Sequence, residues 1–170
     1  SLNQKTHYNQ FFSFHRTLDA LQEGTQGIGT TKRGIGPCYA DKVSRIAVRL
    51  GELIRPELFE KNLKKLVEEK NKELVGVYGA EALDFQEIYE EYLAYGQQLK
   101  TYLNDDVEHF LSQSIEDGKE VIFEGAQGTF LDNYFGTYPF VTSSSTTASG
   151  ILAGAGIAPT KVKNIIGILK

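Results

Sequence analysis

The stretch Lys119–Gly128, KEVIFEGAQG, decides the fold class. Val121–Phe123 is a short apolar run closed by glycines. It reads as a buried strand whose C-terminal end opens into a Gly-rich loop. Downstream, TTASGILAGAGI (Thr146–Ile157) is small and apolar, the make-up of a closely packed helix that follows a run of hydroxyls. VKNIIGILK (Val162–Lys170) then reads as a second strand. A strand–helix–strand succession favours a parallel pair with a right-handed crossover. The expectation is an α/β protein: part of a mostly parallel sheet with flanking helices.

Upstream the pattern is helical. Phe11, Phe14, Leu18 and Leu21 share one stripe, so a helix is expected from Phe11 to Glu23, stopped by Gly24. Glycines and Pro37 make Gly24–Pro37 a loop. A second helix is expected from Tyr39, with Val43, Ile46, Leu50 and Leu53 facing inward. Pro56 suits a first helical turn, and Phe59, Leu63, Leu66, Val67 and Leu74 continue the stripe. Asp84 and Glu87 have capping-box spacing ahead of a long helix through Ile88, Tyr92, Leu99, Leu103, Phe110 and Leu111, ending at Gly118. Residues 39–117 therefore form a helical insertion, a structural or interaction subdomain. Residues 119–170 are the strand–helix–strand piece of the core sheet.

Length and charge bound the function. The chain has 170 residues and 41% apolar content, enough for one domain with a core. Its formal net charge of −4 argues against a nucleic-acid-binding surface, so any anion site is local. No apolar run approaches a membrane span, and the polar start SLNQKTHYNQ has no signal-peptide core. A single cysteine, Cys38, allows no internal disulfide and fits a cytoplasmic setting. The chain ends inside an apolar run, which suggests that a longer protein continues beyond it.

The chemistry-bearing residues gather in loops. In Gly27–Arg45, GIGTTKRGIGPCYADKVSR, Thr30 and Thr31 offer hydroxyls, Lys32 and Arg33 charge, and Gly34 and Gly36 bare backbone ahead of a helix. That is the composition of a phosphate site, though an ordinary surface loop has it too. Neither a Walker A loop nor a dinucleotide fingerprint is present. Lys42, Arg45 and Arg49 follow at helical spacing, as a basic edge. In FEGAQG, Glu124 and Gln127 sit at a strand's C-terminal end, where ligands of α/β proteins gather. An amide suits a purine edge or a developing oxyanion, or it simply caps the loop. The hydroxyls of Thr142–Thr147 fit a helix N-cap or a phosphate. His7, His15 and His109 lack metal-ligand spacing, and Cys38 has no evident base.

GTTKRGIGPCYADKVSR (Gly29–Arg45), FEGAQGTFLD (Phe123–Asp132) and GTYPFVTSSSTTASG (Gly136–Gly150) together resemble the adenylosuccinate synthetases. The motifs come in family order and span most of the chain. The sequence departs from the family at Lys32 and Ser149, where the family has glycine, and at Ser145, where it has asparagine. The resemblance implies a ligase of purine biosynthesis that forms a C–N bond between IMP and L-aspartate, using GTP and Mg²⁺. By resemblance, Thr31 and Thr142 hold the IMP 5′-phosphate, and Arg45 reaches the IMP of the other subunit of a homodimer. Gln127 lies at the purine base as the catalytic amide that steadies the 6-oxygen, and Thr30, Arg33 and Lys42 support the site. The family's GDEGKG-type phosphate loop, its Asn-Lys-x-Asp guanine motif and its aspartate loop are absent here. The residues in hand thus resemble the IMP side of the enzyme, with no metal ligand and most GTP contacts elsewhere, and are expected to be inactive alone. The competing reading is a non-catalytic nucleotide-binding or helical interaction module.

Overall fold

The computed structural model describes residues 14–26 and 29–169, with residues 23–26 described by backbone alone. The chain forms two compact units that divide between Asp105 and Asp106.

The first unit contains α1 (Phe14–Gln26), α2 (Ile35–Ser44), α3 (Pro56–Gly76) and α4 (Phe85–Leu99). Its core gathers Phe14 and Leu18 of α1, the connector residues Val48, Leu50 and Leu53, Phe59, Leu63, Leu66, Val67 and Leu74 of α3, and Ile88 and Tyr92 of α4. Each such side chain, fully buried, contributes about 1.5–3 kcal/mol relative to exposure. Pro56 opens α3, and Asp84 caps α4 by accepting the Glu87 amide at 2.8 Å. Asn71 clasps the loop between them. Its amide nitrogen donates to the Leu83 carbonyl at 3.1 Å and its oxygen accepts the Leu83 amide at 2.7 Å. Gly96 lets α4 rest on the backbone of Leu53, for a Cβ there would collide with the Leu53 carbonyl.

Several helix limits differ from the sequence reading. The backbone of α1 continues through Gly24 to Gln26, and Phe11 lies outside the described residues. The second helix starts at Ile35, not Tyr39, and holds Pro37 in its first turn, where the missing N–H costs nothing. It ends at Ser44, because Arg45 turns left-handed (φ 63°). Val43 and Ile46 are 79% and 39% exposed, not inward-facing. The core is reached instead by Val48, Leu50 and Leu53 on the connector. The long helix expected up to Gly118 breaks after Leu99 into a 3-10 turn, Lys100–Tyr102. A new helix, α5 (Val107–Glu116), starts under the cap of Asp106, which accepts the His109 amide at 3.2 Å.

The second unit packs α5 against α6 (Ala148–Ala155) and otherwise consists of tight loops, with a cis Tyr138–Pro139 peptide. Among the described residues neither Val121–Phe123 nor Val162–Leu169 pairs as a strand. Both runs lie without regular structure, with Ile122 93% and Ile168 92% exposed. A strand exists only through a neighbour's hydrogen bonds, and these residues supply none.

Candidate functional site

In the first unit, the Thr30–Gly34 loop hangs from one buried carboxylate. Asp19 on α1 accepts the Thr30 hydroxyl at 2.9 Å and the Gly34 amide at 2.7 Å. Gly34 is left-handed (φ 77°), and a Cβ there would run into the backbone of His15. The glycine thus sets how closely α1 approaches the start of α2. The Lys32 amide donates to the Thr30 hydroxyl oxygen at 3.2 Å. Thr31, Lys32 and Arg33 face solvent.

Behind the loop lies a buried polar cluster. Asp41 of α2 meets His15 Nε2 at 2.9 Å and Lys70 of α3. Lys70 also approaches Glu73 at 3.7 Å, and Gln22 donates to Glu73 at 3.3 Å. The Asp41 carbonyl accepts the amides of Ile46 and Ala47, which turns the chain after α2. Nearby Cys38 is buried, and burial, with the Asp41 charge, pushes its thiol up to about 11. Such a thiol is a poor nucleophile.

The expected basic edge is not one helix face. Lys42 lies on α2 with its ammonium 5.6 Å from the Tyr39 ring centre, Arg45 sits at the helix end, and Arg49 precedes a 3-10 turn. The Arg49 amide donates to Glu52 at 3.0 Å.

In the second unit, Asp132 organises the loops around Gln127 and Thr142. Its carboxylate is fully buried and accepts the amides of Tyr134 (2.9 Å), Phe135 (3.1 Å), Thr146 (2.7 Å) and Thr147 (3.3 Å) and the Ser145 hydroxyl (3.0 Å). Burial raises its pKa, but these hydrogen bonds outweigh it and hold the carboxyl well below the usual carboxylate range. The Thr146 hydroxyl donates to the Gly128 carbonyl at 2.8 Å, and the Thr142 amide to the Leu131 carbonyl at 2.8 Å. The Gln127 loop and the hydroxyl-rich loop are thereby stitched together. Thr147 occupies the N-cap of α6, but its hydroxyl pairs with Ser149 at 2.8 Å instead of capping. The amides of Thr146 and Thr147, just ahead of the first helical residue, already have an anion, the carboxylate of Asp132.

Among the described residues, the non-glycine residues with positive φ are Lys32, Arg45 and Gln127. All three lie in the motifs singled out by the sequence. Such backbone costs roughly 1–3 kcal/mol per residue and tends to gather where function demands it. Thr30, Thr31, Arg33, Lys42 and Arg45 belong to the first unit, and Gln127 and Thr142 to the second. Sequence reasoning missed Asp19, Asp41 and Asp132. For Asp132 a signal existed: an acid closing an otherwise apolar GTFLD, shortly before a run of hydroxyls.

A family model described as "Adenylosuccinate synthetase" matches residues 3–170. The chain is 51% identical over 160 residues to an adenylosuccinate synthetase of Clostridium botulinum, and 48% identical over 159 residues to that of Leuconostoc mesenteroides. Each alignment covers 92% of this chain and 37% of the relative. The fully ligated adenylosuccinate synthetase of Plasmodium falciparum superposes with a TM-score of 0.84 at 37% identity, covering 94% of this chain and 38% of that one. The chain thus belongs to the adenylosuccinate synthetase family and spans a little over a third of the length of these relatives.

Proposed function

We propose that these residues form the IMP-binding part of an enzyme that ligates IMP and aspartate to adenylosuccinate at the expense of GTP. The observation that carries this reading is the family match over residues 3–170. In the proposed reaction GTP phosphorylates the purine 6-oxygen, and the aspartate amine then displaces that phosphate to form the C–N bond. Thr31 and Thr142 hold the IMP 5′-phosphate, with Thr30, Arg33 and Lys42 in support. Gln127, in its left-handed turn, offers an amide to the 6-oxygen as charge builds there. Arg45 completes the site of the other subunit of a homodimer.

Mg²⁺ neutralises phosphate charge in such transfers. Among the described residues no group of three or more His, Cys, Asp or Glu is placed to hold a metal ion, and the Asp132 carboxylate is engaged by its five donors. No residue here is assigned to Mg²⁺, and most contacts to GTP are assigned to the remainder of the enzyme. The sheet expected at 119–170 is assigned to the same source: Val121–Phe123 and Val162–Leu169 pair with strands of that remainder. Residues 39–117 serve as a helical subdomain, although the described packing divides within it, at Asp105. The exposed Ile122, Ile165, Ile166 and Ile168 support the pairing, because water-exposed apolar runs are covered in finished proteins. No described helix is long and apolar enough to cross a membrane. The enzyme is assigned to the cytoplasm.

Gln127→Ala in the full-length enzyme tests the chemistry. It lowers kcat by roughly 10²-fold or more, the size of a lost oxyanion donor, and leaves the KM for IMP nearly unchanged. Unchanged kcat with a raised KM would make Gln127 a simple binding residue. Mixing tests the dimer. An Arg45→Ala subunit combined with a Thr31→Ala/Gln127→Ala subunit regains activity in the heterodimer if Arg45 acts in trans. No recovery under conditions that exchange subunits removes the shared site.

A further inference from the structure

We infer that Asp132 is the positioning residue of the IMP site in the second unit: it holds Gln127 and Thr142 in place by acting as the resident anion of the turn that begins α6. The inference rests on the function proposed above and deepens it.

The chain of contacts is continuous. Asp132 Oδ2 accepts the amides of Thr146 and Thr147 and the Ser145 hydroxyl, while Oδ1 accepts the amides of Tyr134 and Phe135. One carboxylate therefore ties residues 134–135 to residues 145–147. From Thr146 the hydroxyl continues to the Gly128 carbonyl, directly after Gln127. Gln127 keeps its left-handed backbone next to a neighbour whose carbonyl is pinned. On the other side, the residue before Asp132 supplies the Leu131 carbonyl that accepts the Thr142 amide. Thr142 is thus bonded to the residue next to Asp132, and Gln127 is joined to Asp132 through Thr146 and Gly128.

The arrangement also bears on the hydroxyl run. Backbone amides at a helix start, flanked by Ser and Thr hydroxyls, are a ready anion site. Here the carboxylate of the chain itself takes the two amides that lead into the helix, those of Thr146 and of the N-cap Thr147. The substrate phosphate is left to Thr142 at the margin, and the run from Ser145 to Thr147 is scaffold. Gly150 belongs to the same design, because a Cβ there would collide with the Ser145 side chain that reaches Asp132. A buried carboxylate with five charge-assisted bonds is more rigid than a neutral cap, which suits a site that must hold an amide in place.

The test uses the full-length enzyme with Asp132→Asn, which keeps the shape but sets an NH2 against amide donors. Expected is a rise of about tenfold or more in the KM for IMP, the scale of one unsatisfied buried donor, with the KM for GTP unchanged. Hydrogen exchange at the Thr146 and Tyr134 amides accelerates in the same variant. With rates expressed per folded protein, a fall in kcat also supports the inference, because a displaced Gln127 amide no longer steadies the 6-oxygen, whereas unchanged kcat and unchanged KM for IMP overturn it, as does unaltered exchange. Should Asp132→Asn fail to fold, Thr146→Ala, which removes only the hydroxyl on Gly128, carries the same reading. A lowered kcat per folded protein supports the inference, because the freed carbonyl neighbours Gln127, and unchanged kcat together with unchanged KM for IMP overturns it. If the wild-type enzyme has no activity with IMP, the proposed function fails, while the exchange at Thr146 still decides whether Asp132 is the anchor.

Discussion

The Asp19 carboxylate accepts the Gly34 amide at 2.7 Å, so a residue of α1 sets the first turn of α2. Its other oxygen takes the Thr30 hydroxyl, which brings both ends of the Thr30–Gly34 loop to one side chain. Asp19→Ala leaves a buried N–H without its acceptor and destabilises the full-length protein by about 1–3 kcal/mol. Asp19→Asn, which keeps an acceptor oxygen, loses less. Urea midpoints of the two variants rank them, and an Asn variant as unstable as the Ala variant would contradict this.

Gly96→Ala reverses an ordinary rule. In a helix interior alanine is better than glycine by roughly 0.5–1 kcal/mol. At Gly96 the added methyl meets the Leu53 backbone, which cannot swing aside as a side chain can. The variant is expected to be less stable by about 1–3 kcal/mol, the usual cost of overpacking. Thermal unfolding decides, and a rise in Tm would remove the close contact.

Lys70→Met strips Asp41 of its buried ammonium partner, leaving its carboxylate with His15. Breaking one side of a buried pair costs about 3–5 kcal/mol. The exposed pair Lys72–Glu69 lies on the same helix at 2.7 Å, but water competes for both charges. Lys72→Ala leaves the unfolding midpoint where it was. Equal effects of the two substitutions would mean that the buried cluster is no more than a surface network.

The thiol of Cys38 gives a pH dependence with a definite sign. Its pKa rises from 9.0 to about 11 in the folded protein, through burial first and the Asp41 charge second. Because the folded value lies above the unfolded one, its contribution is whole below pH 9.0. It is lost as pH climbs towards 11, where the unfolded thiol ionises and the folded one does not. The wild type loses its margin over Cys38→Ala across that window, as read by denaturant unfolding. A margin that grows with pH would reverse the sign. Below pH 9 the native thiol also resists alkylation.

Lys32 holds a left-handed backbone (φ 52°) where the resemblance puts glycine in the family. Lys32→Gly removes a strain of about 1–2 kcal/mol and adds chain entropy to the unfolded state. The expected net change is neutral to stabilising, by up to about 1 kcal/mol. A clear loss of stability, measured by urea unfolding, would mean that the side chain itself holds the loop.

Much was legible without coordinates because it depends on neighbours in sequence. The α3 stripe, Pro56 at a helix start, Asp84 as a cap and the three motif loops follow from local periodicity and backbone preference. Those same motifs were enough to indicate the family. What local pattern could not reveal was decided by distant partners. Val43 continues a helical stripe in sequence yet faces water, and Val48, beyond the turn at Arg45, takes an inward place instead. Val121–Phe123 has the composition of a strand, but a strand is a relation between segments, and among the described residues nothing pairs with it. The buried acids were hidden for a similar reason. An aspartate in sequence reads as solvated, and only tertiary structure brings Thr30 and Gly34 to Asp19, His15 and Lys70 to Asp41, and residues 145–147 to Asp132. Burying a charge is unfavourable until several donors converge on it, and that convergence exists only in the folded chain.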